Sequence, residues 1–575
     1  MIRKLFYLYE PDRLECEPSV IESMCRDMTP ISPDSSIYDA SEVSHMQAGK
    51  LLYNGNIYTM NASAPRAQAI AVAGERILAT GDNAQMRDLL ESGGKAIDLQ
   101  GRTVLPGFTD AHIHFLWYGL GLQEIDLMEV APYDTALERI AKRAATTPAG
   151  QWLIGRGWDH SLWDIDGFPT RQDLDAITTN HPAYLRRKCG HIAWANSLAL
   201  QLANITSLTP DPDGGEIERD PATGEPTGVL KERAMGLVEK LLSEPTDEAA
   251  IQAMQAAMAK AHQHGIVSIH NMEGATALRA AQDLHARNEL TIRIVQQIPE
   301  KEMNAAIKLG IRSGWGDLRL RIGAVKIFSD GALGARTALM LAPYEGEPDN
   351  VGIAIADTGH LRTQVAKAAR AGLAVHIHAI GDLANRNVLD AIQAAQEAGL
   401  GAGLRHRIEH AQILDPQDIP RFARLGVIAS MQPIHCTQDM RLADKHWGTR
   451  SAGAYAFRSL LDSGAHLAFG SDAPVEDLNV LRGIHAAVTR RRVDGSPGLQ
   501  GWYPEQRLSV HQAVHAYTTG AAYAAGLESI SGQIAPGMLA DLVVLSDDIF
   551  AIEPECILST SVTATYVAGD LVYSM

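Results

Sequence analysis

His112 and His114 stand two positions apart in a run from Thr103 to His114 that is typical of an extended strand. Alternate side chains of a strand share one face, so both imidazoles can reach a single metal ion. The spacing is not sufficient by itself. His262 and His264 repeat it inside a helical pattern, where positions i and i+2 do not face the same way. The pair predicts a metal site only if further ligands gather beside it.

Further ligand types occur where later apolar strands end. His378 and His410 each close such a strand, and Asp472 follows the strand that contains Leu467 to Phe469. His376 shares the face of His378 but lies one layer deeper, so we expect it to be a hydrogen-bonded core histidine behind the ligands. Asp472 alone would be interpreted as a turn cap before Ala473-Pro474. With four histidines at neighbouring strand ends, a carboxylate ligand for a metal ion is the better interpretation.

Lys326 is embedded in the apolar strand Ile322 to Phe328. Burial of a lysine is costly unless something satisfies the amine. An ammonium group would repel nearby divalent metals, whereas the carbamate formed with carbon dioxide is an anion that can bridge two of them. The alternative is a salt-bridged lysine or an amine neutralised by burial. We predict the bridging carbamate, an N6-carboxylysine.

The middle of the chain alternates helical patterns with apolar strands. A helix capped by Thr246 ends before Gly265 and the strand that starts at Ile266, and a helix through Leu361 ends at Gly372 before another strand. Repeated helix-then-strand units predict a parallel sheet, and their number favours a closed barrel. Functional side chains are then expected at the carboxyl ends of the strands.

Both ends of the middle region are flanked by short strand-like runs separated by turns. Isolated hairpins cannot bury enough surface to stand alone, so the two ends are predicted to pair. The fold class is α/β: a distorted (β/α)8 TIM barrel with a small β-sandwich domain built from both chain ends. The predicted parts are a poorly ordered or peripheral leader (1–48), the sandwich (49–104 and 528–575), and the barrel (105–527) with an insertion at about 150–245.

Composition excludes several classes of partner. Acidic residues outnumber basic ones by 68 to 50, and the net charge of -18 opposes binding to nucleic acid or to anionic membrane surfaces. The basic cluster Arg490 to Arg492 has no interleaved aromatic residue and is interpreted as a solvated helix end.

The cysteines and the apolar segments predict the compartment. The five cysteines are odd in number and contain no close pair, which favours a reducing environment. The apolar run Leu5 to Tyr9 is too short for the core of a signal peptide, and no window is long enough to span a bilayer. We expect a cytoplasmic protein.

The ligand set and several longer segments resemble the amidohydrolase superfamily. More narrowly, the chain is similar to the amidohydrolase 3 group, which includes YtcJ-like proteins and N-substituted formamide deformylase. The resemblance covers nearly everything from Lys50 onward, and Cys189 departs from it where an acidic residue is expected. This departure concerns substrate orientation and leaves the metal set intact. The other matching segments are Gly155 to Asp159, Leu185 to Arg187, Gly190 to Ser197 and Ser329 to Thr337.

The resemblance implies a centre with one or two divalent metals, most often zinc, and hydrolysis of amide-like bonds. It implies that His112, His114 and Asp472 hold the first metal. Lys326 as carbamate then bridges to a second metal on His378 and His410. In this scheme Asp472 is also the catalytic residue, which takes a proton from water and passes it to the leaving nitrogen.

We expect a small-molecule substrate contacted by Trp158, His191, His270 and Arg336. Packing is the alternative for Trp158 and a structural ion pair the alternative for Arg336. The leading hypothesis is hydrolysis of an N-substituted formamide or a similar acyl amide. A cyclic amide or carbamate hydrolase, a deaminase, and a non-catalytic binding homologue are the alternatives, and retention of every expected ligand argues against the last. A homodimer is common among such barrels.

Overall fold

The fold is described by a computed structural model that covers residues 47–128, 130–188, 190, 192–212, 214–242 and 245–575. The predicted leader lies outside the described residues except at its last two positions. Ala48 already belongs to the first strand. Among the described helices, none combines the length and the apolar character needed to cross a bilayer.

The strands begin at Ala48 and continue almost to the end of the chain. They are β1 Ala48–Tyr53, β2 Asn56–Tyr58, β3 Arg66–Ala67, β4 Ala69–Ala73, β5 Arg76–Gly81, β6 Leu90–Asp98, β7 Thr103–Pro106, β8 Phe108–Ile113, β9 Ile125–Asp126, β10 Leu153–Trp158, β11 Ala183–Arg187 and β12 Ile192–Ala195. Next come β13 Gly215–Arg219, β14 Pro226–Glu232, β15 Ile266–Asn271, β16 Arg293–Pro299, β17 Leu320–Phe328, β18 Ala374–Ala379, β19 Arg407–His410, β20 Ile428–Met431, β21 Leu467–Phe469, β22 Leu542–Leu545, β23 Val562–Val567 and β24 Asp570–Ser574.

The α-helices follow the same chain order. They are α1 Asn83–Arg87, α2 Phe115–Gly121, α3 Tyr133–Thr146, α4 Arg171–Asp175, α5 Ser197–Leu202, α6 Gly236–Glu239, α7 Asp247–Gln263, α8 Ala275–Ala286 and α9 Met303–Lys308. The remainder are α10 Thr358–Arg370, α11 Asp382–Glu397, α12 Ile419–Leu425, α13 Pro433–Trp447, α14 Phe457–Asp462, α15 Val480–Thr489, α16 Val510–Tyr517 and α17 Thr519–Ala525.

Eight parallel strands form the barrel in the order β8, β15, β16, β17, β18, β19, β20 and β21. The first and last strands meet just beyond their ends, where the Asp472 amide donates to the His112 carbonyl at 2.7 Å. Gly470 permits this approach, since a Cβ there would lie 2.4 Å from the His112 nitrogen. The predicted distorted barrel is confirmed.

The β-sandwich is built from both chain ends, as predicted. One sheet has the order β5-β4-β1-β6 and the other the order β24-β23-β22-β7-β2-β3. Strand β7 from the N-terminal part lies between β2 and the C-terminal β22, pairing Leu105 with Val543. The two sheets share one apolar core that contains Leu52, Ile70, Val104 and Leu542.

A third sheet, β13-β14-β12-β11-β10-β9, lies between the first barrel strand and α7 in the sequence. It has apolar cores of its own, one of them centred on Trp158, Trp163 and Trp194. The predicted boundaries of the leader, sandwich, barrel and insertion stay predictions.

Local sequence explains how α7 delivers the chain to the barrel. The Thr246 hydroxyl accepts from the Ala249 amide at 3.2 Å, and Asp247 and Glu248 lie at the positive end of the helix dipole. Gly265 has a φ of 75° and turns the chain into β15. This capped helix and the glycine that follows it place the carboxyl end of β15 at the mouth of the barrel.

The expectation of a solvated helix end at Arg490 to Arg492 is wrong for Arg490, which is fully buried. Its guanidinium donates to the carbonyls of Trp502 at 2.5 Å and Tyr455 at 2.9 Å. Charge clustering in the sequence could not show that carbonyls from distant loops satisfy this cation.

A buried ion pair connects the barrel to the sandwich. Arg293 on β16 donates to both carboxylate oxygens of Asp541 at 2.7 and 2.9 Å, and Asp541 immediately precedes β22. Both side chains are at most 5% exposed. We expect Arg293→Met to lower the free energy of unfolding by about 3–5 kcal/mol, because it leaves a buried carboxylate without its cation. Urea unfolding measures this loss.

Two further variants test whether the loss of stability comes from the unpaired buried charge or from altered packing. Arg279→Met on α8 removes an exposed pair with Asp247 and should change stability by less than about 1 kcal/mol. The double variant Arg293→Met/Asp541→Leu should recover much of the loss, since no charge is left buried. A double variant as unstable as the single one would argue against this explanation.

Candidate metal centre

Six side chains at the carboxyl end of the barrel form the candidate centre. They come from β8 and the residue after it, from β17, β18 and β19, and from the loop after β21. The structure brings together the whole predicted set: His112, His114, Lys326, His378, His410 and Asp472.

Asp472 lies at the meeting point of this set. Its Oδ1 is 3.5 Å from His112 Nε2 and 3.4 Å from His114 Nε2. The His410 ring centroid lies 4.8 Å from that of His112 and 4.7 Å from that of His378. The imidazoles of His112, His114 and His410 therefore all adjoin one carboxylate.

Two of these residues occupy the left-handed backbone region. His410 has a φ of 74° and Asp472 a φ of 60°. Glu409 is in register with His378 and faces the barrel interior with it, so regular alternation would direct His410 outward. The unusual φ redirects its side chain towards the centre. Strained non-glycine backbone of this kind clusters at functional sites.

Hydrogen bonds select which imidazole nitrogen remains free. His112 Nδ1 donates to Glu409 Oε2 at 2.6 Å, and His410 Nδ1 donates to Gln432 Oε1 at 2.8 Å. Both rings therefore offer the lone pair of Nε2. His378 Nε2 donates to the Gly331 carbonyl at 3.0 Å, so this ring offers Nδ1. Fixing the tautomer through the second nitrogen is a regular feature of metal-binding histidines.

Burial keeps these rings neutral. It lowers the pKa of His112 and His410, and it lowers the pKa of His378 to about 3. Asp472 behaves differently: burial resists its charge, but the adjoining imidazoles of His112 and His114 hold its pKa well below the usual range. Neutral imidazoles around an ionised carboxylate are the protonation states that a divalent metal requires.

Lys326 lies on β17 in register with His376 and is 4% exposed. Burial lowers the pKa of its amine, and the charges of Glu409 and Asp472 act in the opposite direction. Its Nζ lies 4.9 Å from the centroid of the Phe328 ring. A lowered pKa increases the fraction of uncharged amine, which is the form that reacts with carbon dioxide.

The donor set fits a divalent metal of the zinc type. The ligand atoms of His112, His114 and Asp472 all lie within 4.8 Å of one another, and Asp472 Oδ1 is buried without a hydrogen-bond partner. Imidazole nitrogens and a carboxylate oxygen are the usual ligands of catalytic zinc. A cation between them would satisfy the unpartnered oxygen.

His376 was expected to be a hydrogen-bonded core histidine; it is buried as expected, but its Nδ1 has no hydrogen-bond partner among the described residues. This Nδ1 is 3.6 Å from Glu409 Oε1. Glu409 therefore lies between His112 and His376, in a supporting position that sequence reasoning did not single out.

His435 was also missed. It lies in the first turn of α13, directly after β20, and its Nε2 is 3.7 Å from Asp472 Oδ2. The signal was present, since the strand ending at Met431 was predicted and a histidine follows four positions later. No ligand was assigned to that strand end, because His435 belongs to the following helix and not to the strand itself.

Two of the predicted substrate contacts, Trp158 and His270, lie outside the ligand cluster. Trp158 is fully buried in the insertion, stacks on Trp163 and donates to the Leu185 carbonyl at 2.7 Å. His270 is fully buried below the ligands, and Arg407 donates to its Nδ1 at 2.9 Å.

Arg336 is half exposed and pairs with Glu347 at 3.1 Å. The structure does not bring it, Trp158 or His270 into the ligand cluster. His191 and Cys189 lie outside the described residues. Their roles towards substrate stay predictions.

This chain is similar to amidohydrolases and to metal-dependent hydrolases, both in sequence and in structure. The model of the Amidohydrolase family matches residues 95–573. The putative amidohydrolase YtcJ of Bacillus subtilis is 33% identical over 91% of this chain and 98% of its own length. The N-substituted formamide deformylase of Arthrobacter pascens is 28% identical over 91% and 98%. An uncharacterized metal-dependent hydrolase from Pyrococcus horikoshii superposes with a TM-score of 0.74 at 30% identity, covering 88% of this chain and 99% of that one.

Proposed function

Because this chain belongs to the amidohydrolase family, which makes it a metal-dependent hydrolase of non-peptide carbon–nitrogen bonds, we propose that it cleaves a small acyl amide with zinc. The contact of one Asp472 oxygen with the Nε2 atoms of His112 and His114 carries this proposal. Those three residues hold one metal. His378 and His410, with Lys326 as a carbamate, hold a second.

A bound divalent metal supplies two things here: it promotes ionisation of water near neutral pH, and it polarises the scissile carbonyl. The side chains of the protein supply the proton transfer and the orientation of the ligands. Asp472 is ionised and therefore able to accept the proton of the attacking water on a carboxylate oxygen, and then to donate it to the leaving nitrogen. Glu409 holds His112 in the tautomer that leaves Nε2 unprotonated.

Carboxylation of Lys326 supplies the anion that an unmodified lysine cannot. The neutral amine nitrogen bonds to the carbon of carbon dioxide, and loss of one proton leaves a carbamate. Burial lowers the pKa of the Lys326 amine and thereby favours its neutral, reactive form. The resulting anion is compatible with the adjacent cations, whereas an ammonium is not.

The substrate proposed first is an N-substituted formamide. The support is the name of the Arthrobacter pascens relative, which matches this chain over 91% of its length. An activity screen with formamides beside larger acyl amides tests this choice, and equal rates on all of them would remove formamides as the preferred class.

We infer a cytoplasmic location. Among the described residues Cys436 and Cys556 are both free thiols, one buried and one exposed, as expected for a reducing compartment.

Metal analysis tests the function most directly. Protein purified without chelator should carry about one to two equivalents of a transition metal, because the donors fit a catalytic site of that kind. Removal with a chelator should abolish amide hydrolysis, and added zinc should restore it. Folded protein that is active after complete metal removal would contradict the proposal.

A further inference from the structure

We propose that His435 is a metal ligand and completes, with His410 and Asp472, a donor trio that the ligand pattern in the sequence does not contain. This inference rests on the proposed metal-dependent function and extends it to a seventh side chain. It gives the metal position near His410 three ligands even without Lys326 and His378.

The ligand atoms of His410, His435 and Asp472 all lie within 4.8 Å of one another. The rings of His410 and His435 are nearly parallel, at an interplanar angle of 10° and a centroid separation of 6.0 Å. A centroid separation of 6.0 Å is too wide for direct contact between the two rings. This spacing matches a metal site with two imidazoles and one carboxylate.

The two oxygens of Asp472 serve different partners. Oδ1 faces His112 and His114, whereas Oδ2 faces His435. A carboxylate whose oxygens point to two separate imidazole groups can hold one cation on each oxygen. His435 therefore supplies the second side of a bridging Asp472.

A simple hydrogen bond does not explain His435. Its Nε2 is buried without a hydrogen-bond partner, and 3.7 Å to Asp472 Oδ2 exceeds hydrogen-bond distance. An unsatisfied buried nitrogen destabilises the folded protein. A cation between Nε2 and Oδ2 would remove this destabilisation and would account for the gap.

The chain fixes His435 in this position. Gln432 accepts from His410 and is followed by Pro433 at the start of α13, so His410 and the first turn of the helix are held together. Pro433 suits the first helical position, because no intrahelical partner is available there for an amide. His435 is thus presented to the centre by a preformed helix turn.

Metal binding to the apoprotein tests the proposal. Wild type, His435→Gln, His114→Gln and the control His360→Gln are stripped with chelator and titrated with zinc against a chromophoric competitor. His360 is a half-exposed residue on α10 that pairs with Glu300. His435→Gln should weaken one binding step by more than about a hundredfold, beyond what the loss of a supporting residue costs. The control should bind zinc as the wild type does.

His435→Cys provides a positive signature that a misfolded variant cannot give. With cobalt(II) it should show a thiolate-to-cobalt charge-transfer band that the wild type lacks under the same conditions, so that the five native cysteines are not the source of the band. Zinc affinities of His435→Gln equal to those of wild type, or absence of the band in metal-loaded His435→Cys, overturns the proposal for His435 and leaves the proposed function in place. A wild-type protein that binds no metal overturns both.

Discussion

Asp472→Asn should lower kcat on the best amide substrate by about 10²–10⁴-fold, while the metal held with His112 and His114 falls far less. The variant keeps an oxygen at nearly the same place between His112 and His114, so the ligand geometry survives. It loses the negative charge and the site that accepts a proton from water. Steady-state kinetics together with metal analysis of the same preparation measure the two effects.

Asp462→Asn is the matched control. Asp462 pairs with Arg458 at 2.9 Å on the surface of α14, so the same chemical change there should leave both kcat and metal content unaltered. Equal activity of Asp472→Asn and wild type would remove Asp472 from proton transfer. A loss of metal in proportion to the loss of activity would make it a ligand alone.

Lys326→Met should abolish most of the activity and yet stabilise the metal-free protein. Methionine has a similar volume and carries no amine to desolvate, so the free energy of unfolding of the apoprotein should rise by about 1–3 kcal/mol. Activity should fall by about two orders of magnitude or more, because the anionic ligand is lost. Urea unfolding of the apoprotein and kcat of the zinc-loaded form give the two measurements.

Carbon dioxide provides the control for carboxylation. Wild-type apoprotein reconstituted with zinc should regain more activity in bicarbonate buffer than in buffer freed of carbon dioxide, and Lys326→Met should show no such dependence. Lys260→Met changes an exposed lysine on α7 and should behave as the wild type does. Full reconstitution of the wild type without carbon dioxide would indicate an unmodified Lys326.

The barrel, and the meeting of the six expected ligands at one mouth of it, could be predicted because both depend on local patterns. Capped helices followed by apolar strands specify a parallel sheet, and polar residues at the ends of those strands meet at one mouth. Lys326 was recognisable because a lysine in an apolar strand needs a chemical reason to be there. The family resemblance and the fold class that follows from it are both confirmed.

The remaining features of the site depend on contacts between distant segments. Glu409 adjoins a predicted ligand in the sequence, yet its hydrogen bond to His112 on β8 exists only in the folded barrel. Trp158 belongs to a long matching segment, but its ring stacks on Trp163 in the insertion. A tryptophan that packs in a core can be distinguished from one that contacts substrate only when its neighbours in space are known, and the sequence alone does not give them.

The position of β7 between β2 and β22 affects how the chain folds while it is being synthesised. While the ribosome is still making the barrel, Thr103–Pro106 has no partner on the side that Leu542–Leu545 will cover. A nascent chain therefore exposes an unpaired, apolar strand edge through most of translation, the condition that favours pairing with a neighbouring chain. Deletion of the last strands should accordingly produce aggregation, because the edge would then never be covered.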